Sequence, residues 1–427
     1  MSVRLQGVLK SFGPGLLVAA TGVGAGDLMT ASLGGSTLGV AIAWTAVVGA
    51  LFKLFLNEGI ARWQMATDET LLEGWIRHLG GWIRWLFLVY LVAWTFFTGG
   101  ALITACGVAG SGLVALSVDA EVSKIVWGVI HSIVGLVLVW VGGFRLFERL
   151  MAFCISLMFV TVITTALLRG TDWGALSRGV FIPTIPTGGL GWVLGVLGGV
   201  GGTLTLLSYG YWIREEDRSG SKGLRACRLD LSVGYGLTGL FGVAMIVIGS
   251  GVDIEGRGAG AALVLARELG SIVGPIGRGV FLLGFWGAVF SSLLGVWQSV
   301  PYLFADFVGL SRGAGDTERR DTERHDTELS KTLAYKGYLI ALSVAPLPLL
   351  WLSVQRVQLA YAVFGSLFMP LLAATLLLMN NRKEWVGEEY RNRWLSNAML
   401  VATLILFGYL GVSGALENLG RLLSPSP

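Results

Sequence analysis

The sequence predicts an all-α integral membrane protein of eleven transmembrane helices, built as two inverted halves of five with the first and sixth helices broken. Three observations carry that expectation. The 427 residues are 54% hydrophobic and only 14% charged, where a soluble domain carries about 25% charge, and the mean hydropathy is +0.71. Apolar runs of the ~20 residues that a span requires recur along the whole chain. Glycine clusters interrupt two of those runs at corresponding places.

In chain order the runs fall at 12–33, 38–63, 82–110, 122–142, 149–169, 188–213, 228–251, 276–308, 334–354, 357–380 and 393–415. The first run continues into a full span, so it is not read as a cleaved signal. Within it lies Gly22-Val23-Gly24-Ala25-Gly26-Asp27, and within the sixth lies Gly199-Val200-Gly201-Gly202-Thr203-Leu204-Thr205. Glycine costs a helix roughly 1 kcal/mol relative to alanine, and the backbone groups it frees cannot be satisfied by lipid. Such breaks persist where bare backbone lines a protected cavity, and a matched pair marks the substrate site of secondary transporters. The eighth run is long enough for a tilted helix with an interfacial end.

Orientation follows from lysine and arginine, which collect on the cytoplasmic side. With the N-terminus inside, 22 of the 31 basic residues fall in cytoplasmic segments, 8 in external ones, and Lys53 lies inside the second span. The chain is expected in a prokaryotic-type plasma membrane, N-terminus cytoplasmic and C-terminus external. Five helices per half is an odd number, so the second half is inverted. Residues 1–170 form the first repeat, 171–390 the second, and 391–427 an additional helix and tail. The segment Ser311–Ser330 repeats Asp-Thr-Glu and reads as a solvated low-complexity loop.

The net charge of +4 resides in loops between spans, so the bilayer and its anionic headgroups are the expected partner and nucleic acid is not. Cys106, Cys154 and Cys227 are odd in number, and the first two lie in spans. They read as small buried hydrophobes. No phosphate loop, His-Glu-x-x-His motif or paired carboxylate at membrane depth is present, so neither enzyme nor cofactor is expected.

From Gly13-Pro14-Gly15 through Ser291-Ser292-Leu293-Leu294-Gly295 to Asn381-Arg382-Lys383, the chain resembles the Nramp (natural resistance-associated macrophage protein) family. The resemblance implies a LeuT-type inverted repeat and a monomer. It also implies where metal ligands would stand, and there the chain departs. The family's Asp-Pro-Gly-Asn aligns with Gly24, Ala25, Gly26 and Asp27, and its Met-Pro-His aligns with Thr205, Leu206 and Leu207. No Asp or Glu occurs between Gly74 and Val118, where the family carries acidic residues linked to proton movement, and a Gln of the tenth helix aligns with Tyr361.

With soft and charged ligands replaced, the expected site is a set of uncharged donors and acceptors: Gly24, Asp27, Gly201, Gly202, Thr203, Thr205, Thr98, Gln298, Trp297 and Tyr361. No metal ligand set is assigned. Hydroxyls, an amide and an aromatic plane suit a neutral polar solute, and a sugar such as a hexose is the first expectation, with proton coupling weak or absent. The alternative is a divalent-ion transporter of the Nramp type for Mg²⁺ or Mn²⁺. One carboxylate with hydroxyls and carbonyls can hold a hard ion, although it selects poorly for transition metals. Most of the 16 tryptophans read as interfacial anchors or packing, and hydroxyls within spans commonly bond their own helix. Asp27 could equally cap the half-helix that follows it. A non-transporting receptor would show no substrate-dependent uptake.

Overall fold

The computed structural model describes residues 25–141, 144–215, 218–252, 261–311 and 329–423, and within those residues every regular element is helical. A π-helical turn, Ala25–Thr30, leads into α1 (Ala31–Leu38), followed by α2 (Ala43–Thr67), α3 (Leu71–His78), α4 (Gly81–Leu113), α5 (Ala120–Val141) and α6 (Phe144–Leu168). The second half comprises α7 (Trp173–Phe181), α8 (Leu190–Gly199), α9 (Ser208–Glu215), α10 (Gly220–Gly249) and α11 (Ala261–Ser311). Then come α12 (Leu333–Val344), α13 (Val354–Ser366), α14 (Phe368–Met379), α15 (Lys383–Tyr390) and α16 (Trp394–Leu423).

Among the described residues nine helical segments are long and apolar enough to span a bilayer. The expected eleven is not reached there. The end of the first run and the second run join as Leu28–Thr67, and the fifth run contributes only the shorter apolar helix Ser156–Leu168. The all-α membrane class stands.

Two features build the centre of the bundle. First, α2 runs behind the broken sixth helix over its whole length. A side chain on Gly49 would lie 2.8 Å from the Leu197 carbonyl, Lys53 bonds carbonyls at the break, and a side chain on Gly210 would lie 2.6 Å from Gln64. These positions recur at helical spacing on one face of α2. Second, α1 crosses α10 at backbone contact: a Cβ on Gly35 would stand 2.9 Å from Ile246 Cα, and one on Gly249 would stand 2.9 Å from Ser32 Cα. Lipid tails are as apolar as leucine, so helices in a bilayer associate through such close packing. Gly249→Ala is therefore expected to cost about 1–3 kcal/mol by overpacking, read as a lower unfolding temperature in detergent. Gly236, beside which an added Cβ meets nothing within 4 Å, supplies the control.

Polar ties join several of the helices. Thr70 and Glu73 form a capping box on α3, which satisfies two free amides at once. Arg214 of α9 reaches Glu73 at 3.2 Å, Tyr211 donates to Asp306 of α11 at 2.8 Å, and Arg218 pairs with the buried Asp230 at 3.0 Å. Arg62 and Arg228 share the buried carboxylate of Glu58, joining α2 to α10.

On α3, His78 lies against Trp385, with ring centroids 4.3 Å apart, and edge-on to Trp63. Burial, and secondarily the charge of Arg77, lowers its pKa from 6.5. The folded state thus takes up a proton less readily than the unfolded chain. The stability this contributes is complete above 6.5 and is lost as the pH falls from there through the lower folded value. Between pH 7.5 and 5.5 the unfolding temperature of the parent should drop more than that of His78→Gln.

Candidate functional site

At the second break, α8 ends at Gly199, and Val200, Gly201, Gly202 and Thr203 run irregularly into a 3₁₀ turn, Leu204–Leu207, that continues as α9. Gly201 and Gly202 have φ of +76° and +89°, a region that residues with a Cβ enter only at a cost. Every residue from Val200 to Leu207 is buried.

The break is held from three sides. From α4, Trp94 donates its indole N–H to Thr203 Oγ1 at 2.7 Å. From α13, Gly365 approaches so closely that a side chain there would stand 2.7 Å from the Thr203 methyl group. Behind it lie Lys53 of α2, which donates to the Gly198 carbonyl at 2.7 Å and to that of Val200, and the ring of Tyr235 of α10, 2.9 Å from where a Cβ on Gly201 would be. Asn57, one turn beyond Lys53, donates to Tyr235 Oη at 2.6 Å.

A polar column climbs from this point between α4 and α13. Trp94, Thr98 and Ala101 follow one another at helical spacing, a rise of roughly 10 Å. At the far end the buried Gln358 of α13 donates Nε2 to the Ala101 carbonyl at 2.9 Å. The Thr98 hydroxyl and Gln358 Oε1 are buried with no hydrogen-bond partner among the described residues. Buried oxygens of this kind are costly unless something arrives to use them. At the other end, Tyr90 stacks on Phe364 at 5.4 Å and 8° and on Phe368 at 5.5 Å, and donates to the Phe364 carbonyl at 3.1 Å. This aromatic floor closes the column toward α14.

Thr98, Gly201, Gly202, Thr203 and Thr205 are all buried, as is Tyr361 of α13. Gly24 lies outside the described residues, and of Asp27 only the backbone, in the π-helical turn, is described. Trp297 stands elsewhere. Its ring is 3.5 Å from where a Cβ on Gly135 of α5 would be, so it fills the α5–α11 interface. Gln298 is half-buried beside it, and its carbonyl accepts from Tyr335. Gln358, Trp94 and Lys53 were absent from the set read in the sequence. A glutamine three residues before Tyr361 and a lysine in mid-span were the available signals, since polar groups at membrane depth are expensive.

The natural resistance-associated macrophage protein-like family model matches residues 15–416. The fold is similar to that of the manganese transporter of Eremococcus coleocola in complex with an aromatic bis-isothiourea substituted compound, with a TM-score of 0.70 and 16% identity, over all of this chain and 90% of that one. It is also similar to MhsT in complex with L-phenylalanine, at TM-score 0.55 and 17% identity, over 94% and 97% of the two chains. In sequence, an uncharacterized protein of Pasteurella multocida is 23% identical over 248 residues, 56% of this chain and 55% of that protein's own length. The LeuT-type fold that the resemblance implied is the one the chain adopts.

The sugar expectation is corrected by these findings, for the family match leads to structures of a manganese transporter and not to a sugar carrier. The physical reason is visible in the site. The aromatic plane it relied on, Trp297, packs against α5, and the Thr95 hydroxyl is joined to Tyr338 at 2.7 Å. With its family model matched from residue 15 to residue 416, this chain belongs to the natural resistance-associated macrophage protein-like family.

Proposed function

We propose that the chain carries a divalent metal ion across the membrane by alternating access, with the ion held between the two broken segments. The observation that carries this reading is the family match over nearly the whole chain. The chemistry of the donors supports it in a particular form. Thr98 Oγ1 and Gln358 Oε1 are buried oxygens without a partner among the described residues, Thr203 and Thr205 add hydroxyls, the sixth-helix break adds carbonyls, and the sequence supplies Asp27 at the first break. No group of three or more His, Cys, Asp or Glu occurs among the described residues. An oxygen-only site with few charges suits a hard ion that keeps part of its water, such as Mg²⁺, and lacks the soft ligand that favours later transition metals.

The test is uptake into proteoliposomes with Mn²⁺ and Mg²⁺ side by side. Both should enter, and Mn²⁺ should bind no more tightly than Mg²⁺ by calorimetry. Absence of uptake of either ion would refute the reading.

In the same reading 1–170 and 171–390 are the inverted repeats and 391–427 is an additional helix and tail. The first and sixth helices rock with their breaks while the remaining bundle holds the frame. The N-terminus faces the cytoplasm and the C-terminus the outside. A reporter after Pro427 should be external and one beside Asp321 cytoplasmic; both on one side would refute that topology.

A further inference from the structure

The connection between α6 and α8 is itself helical. α7 starts at an N-cap, Asp172, whose carboxylate accepts from the amides of Gly174 and Ala175 at 2.9 and 3.0 Å and so satisfies two free donors of its first turn. It stops at Ile182, which is extended as a residue before proline tends to be.

One face of α7 is closed. Gly179 is buried, and a Cβ there would run into the Val40 carbonyl and stand 3.4 Å from Ala41 Cα. The helix therefore lies backbone to backbone across the turn between α1 and α2. The residues after it hold the same turn. Thr184 donates to the Ala41 carbonyl at 3.3 Å, and Trp44 of α2 donates its indole N–H to the Thr184 carbonyl at 3.0 Å. A Cβ on Gly189, just before α8, would stand 2.8 Å from the Leu38 side chain at the end of α1.

The opposite face is apolar and open. Trp173 and Phe181 stand on it two turns apart, 54% and 82% exposed, with Arg178 exposed beside them. A helix with aromatic residues on one side and a basic residue at their edge is the pattern that lies in a bilayer interface, where arginine reaches to the headgroups. In water such a face would mark a protein partner, but two observations give it to the bilayer. Leu167 and Leu168, which end the apolar helix just before it, are exposed in the same way. Exposed tryptophans also recur at span ends: Trp82 begins α4, Trp140 ends α5, and Trp351 follows α12. Tryptophan collects at the two membrane–water interfaces. The four spanning segments from Leu190 to Trp351 return the chain to the face where α6 ends, so Trp351 and Trp173 belong to one interface.

We propose that α7 is an interfacial membrane helix: its Trp173 and Phe181 face lies among the lipid headgroups, and its Gly179 face holds the turn between α1 and α2 at that depth. The partner is the bilayer, and the inference does not depend on which ion is carried.

The experiment places a spin label on the full chain at Trp173→Cys or Phe181→Cys, reconstituted in vesicles of phosphatidylcholine and phosphatidylglycerol, with the parent chain treated alike to subtract its own cysteines. Both labels should collide more with oxygen, which concentrates in lipid, than with a water-soluble nickel chelate. Preference for the nickel chelate at either position puts the face in water and overturns the inference. Shielding from both reagents puts protein over it, a second copy of this chain included, and overturns it as well. Gly179→Leu, added to the chain labelled at Phe181→Cys, should lift α7 off the turn and raise collision with nickel. An unchanged value there overturns the anchoring of the turn. Should Gly179→Leu fail to fold, Trp44→Phe, which removes the donor to the Thr184 carbonyl, is read in the same way.

Discussion

Gly201→Leu is expected to reduce uptake to background in proteoliposomes. The residue has φ of +76°, where a side chain costs roughly 1–2 kcal/mol from backbone strain alone. Its Cβ would lie 2.9 Å from the Tyr235 ring, so the ring must move or the break must straighten. Tyr235 accepts a hydrogen bond from Asn57, and moving it disturbs the wall behind the site. Straightening the break would withdraw the carbonyls of Gly198 and Val200 from Lys53. Either response removes the irregular backbone that gives this segment its ligands. Gly202→Leu should act in the same direction, with φ of +89° and the Thr205 hydroxyl 2.8 Å from the added Cβ. Parental uptake in both variants would place the pathway elsewhere.

Glu58→Ala is expected to be the most destabilising single substitution outside the break, by about 3–5 kcal/mol. The carboxylate is buried and serves two arginines. One oxygen meets Arg62, which is 2% exposed, and the other accepts from Arg228 Nε at 2.9 Å and Nη2 at 2.8 Å. Arg62 further reaches Ser396 at 3.2 Å and the Arg391 carbonyl at 3.4 Å. Removing Glu58 leaves a buried guanidinium beside a second one with no anion between them. Thermal unfolding in detergent should show the loss, and Arg228→Ala, whose side chain is 45% exposed, should cost much less. Equal costs for the two would mean that the carboxylate does not carry the pair.

The break in the sixth helix was legible because a glycine cluster weakens any helix that contains it, and the positive φ values at Gly201 and Gly202 are the property that only glycine supplies without strain. The ion pair Glu58–Arg62 was likewise open to reading, being an i, i+4 pair on one helix. Its third member, Arg228, lies 170 residues from Glu58, and nothing local announces it. Trp94 and Trp297 illustrate the same limit. Both lie deep in long apolar helices, and a helix that is apolar all round has no amphipathic phase to say which way a side chain faces. Trp94 turns to Thr203 and Trp297 turns to Gly135.

Composition, apolar run length and the placement of glycine are properties of the chain itself, and through the solvation demands of a bilayer they determined an all-α membrane protein with a broken sixth helix. What occupies the break was decided by packing. Lys53 read as one basic residue inside a span until α2 was laid along the sixth helix, and Gln358 stood out only once α13 met α4. Helices in lipid choose their neighbours through small residues at close approach, as at Gly49, Gly35 and Gly249. Which carbonyl faces which ammonium is settled only when those surfaces meet.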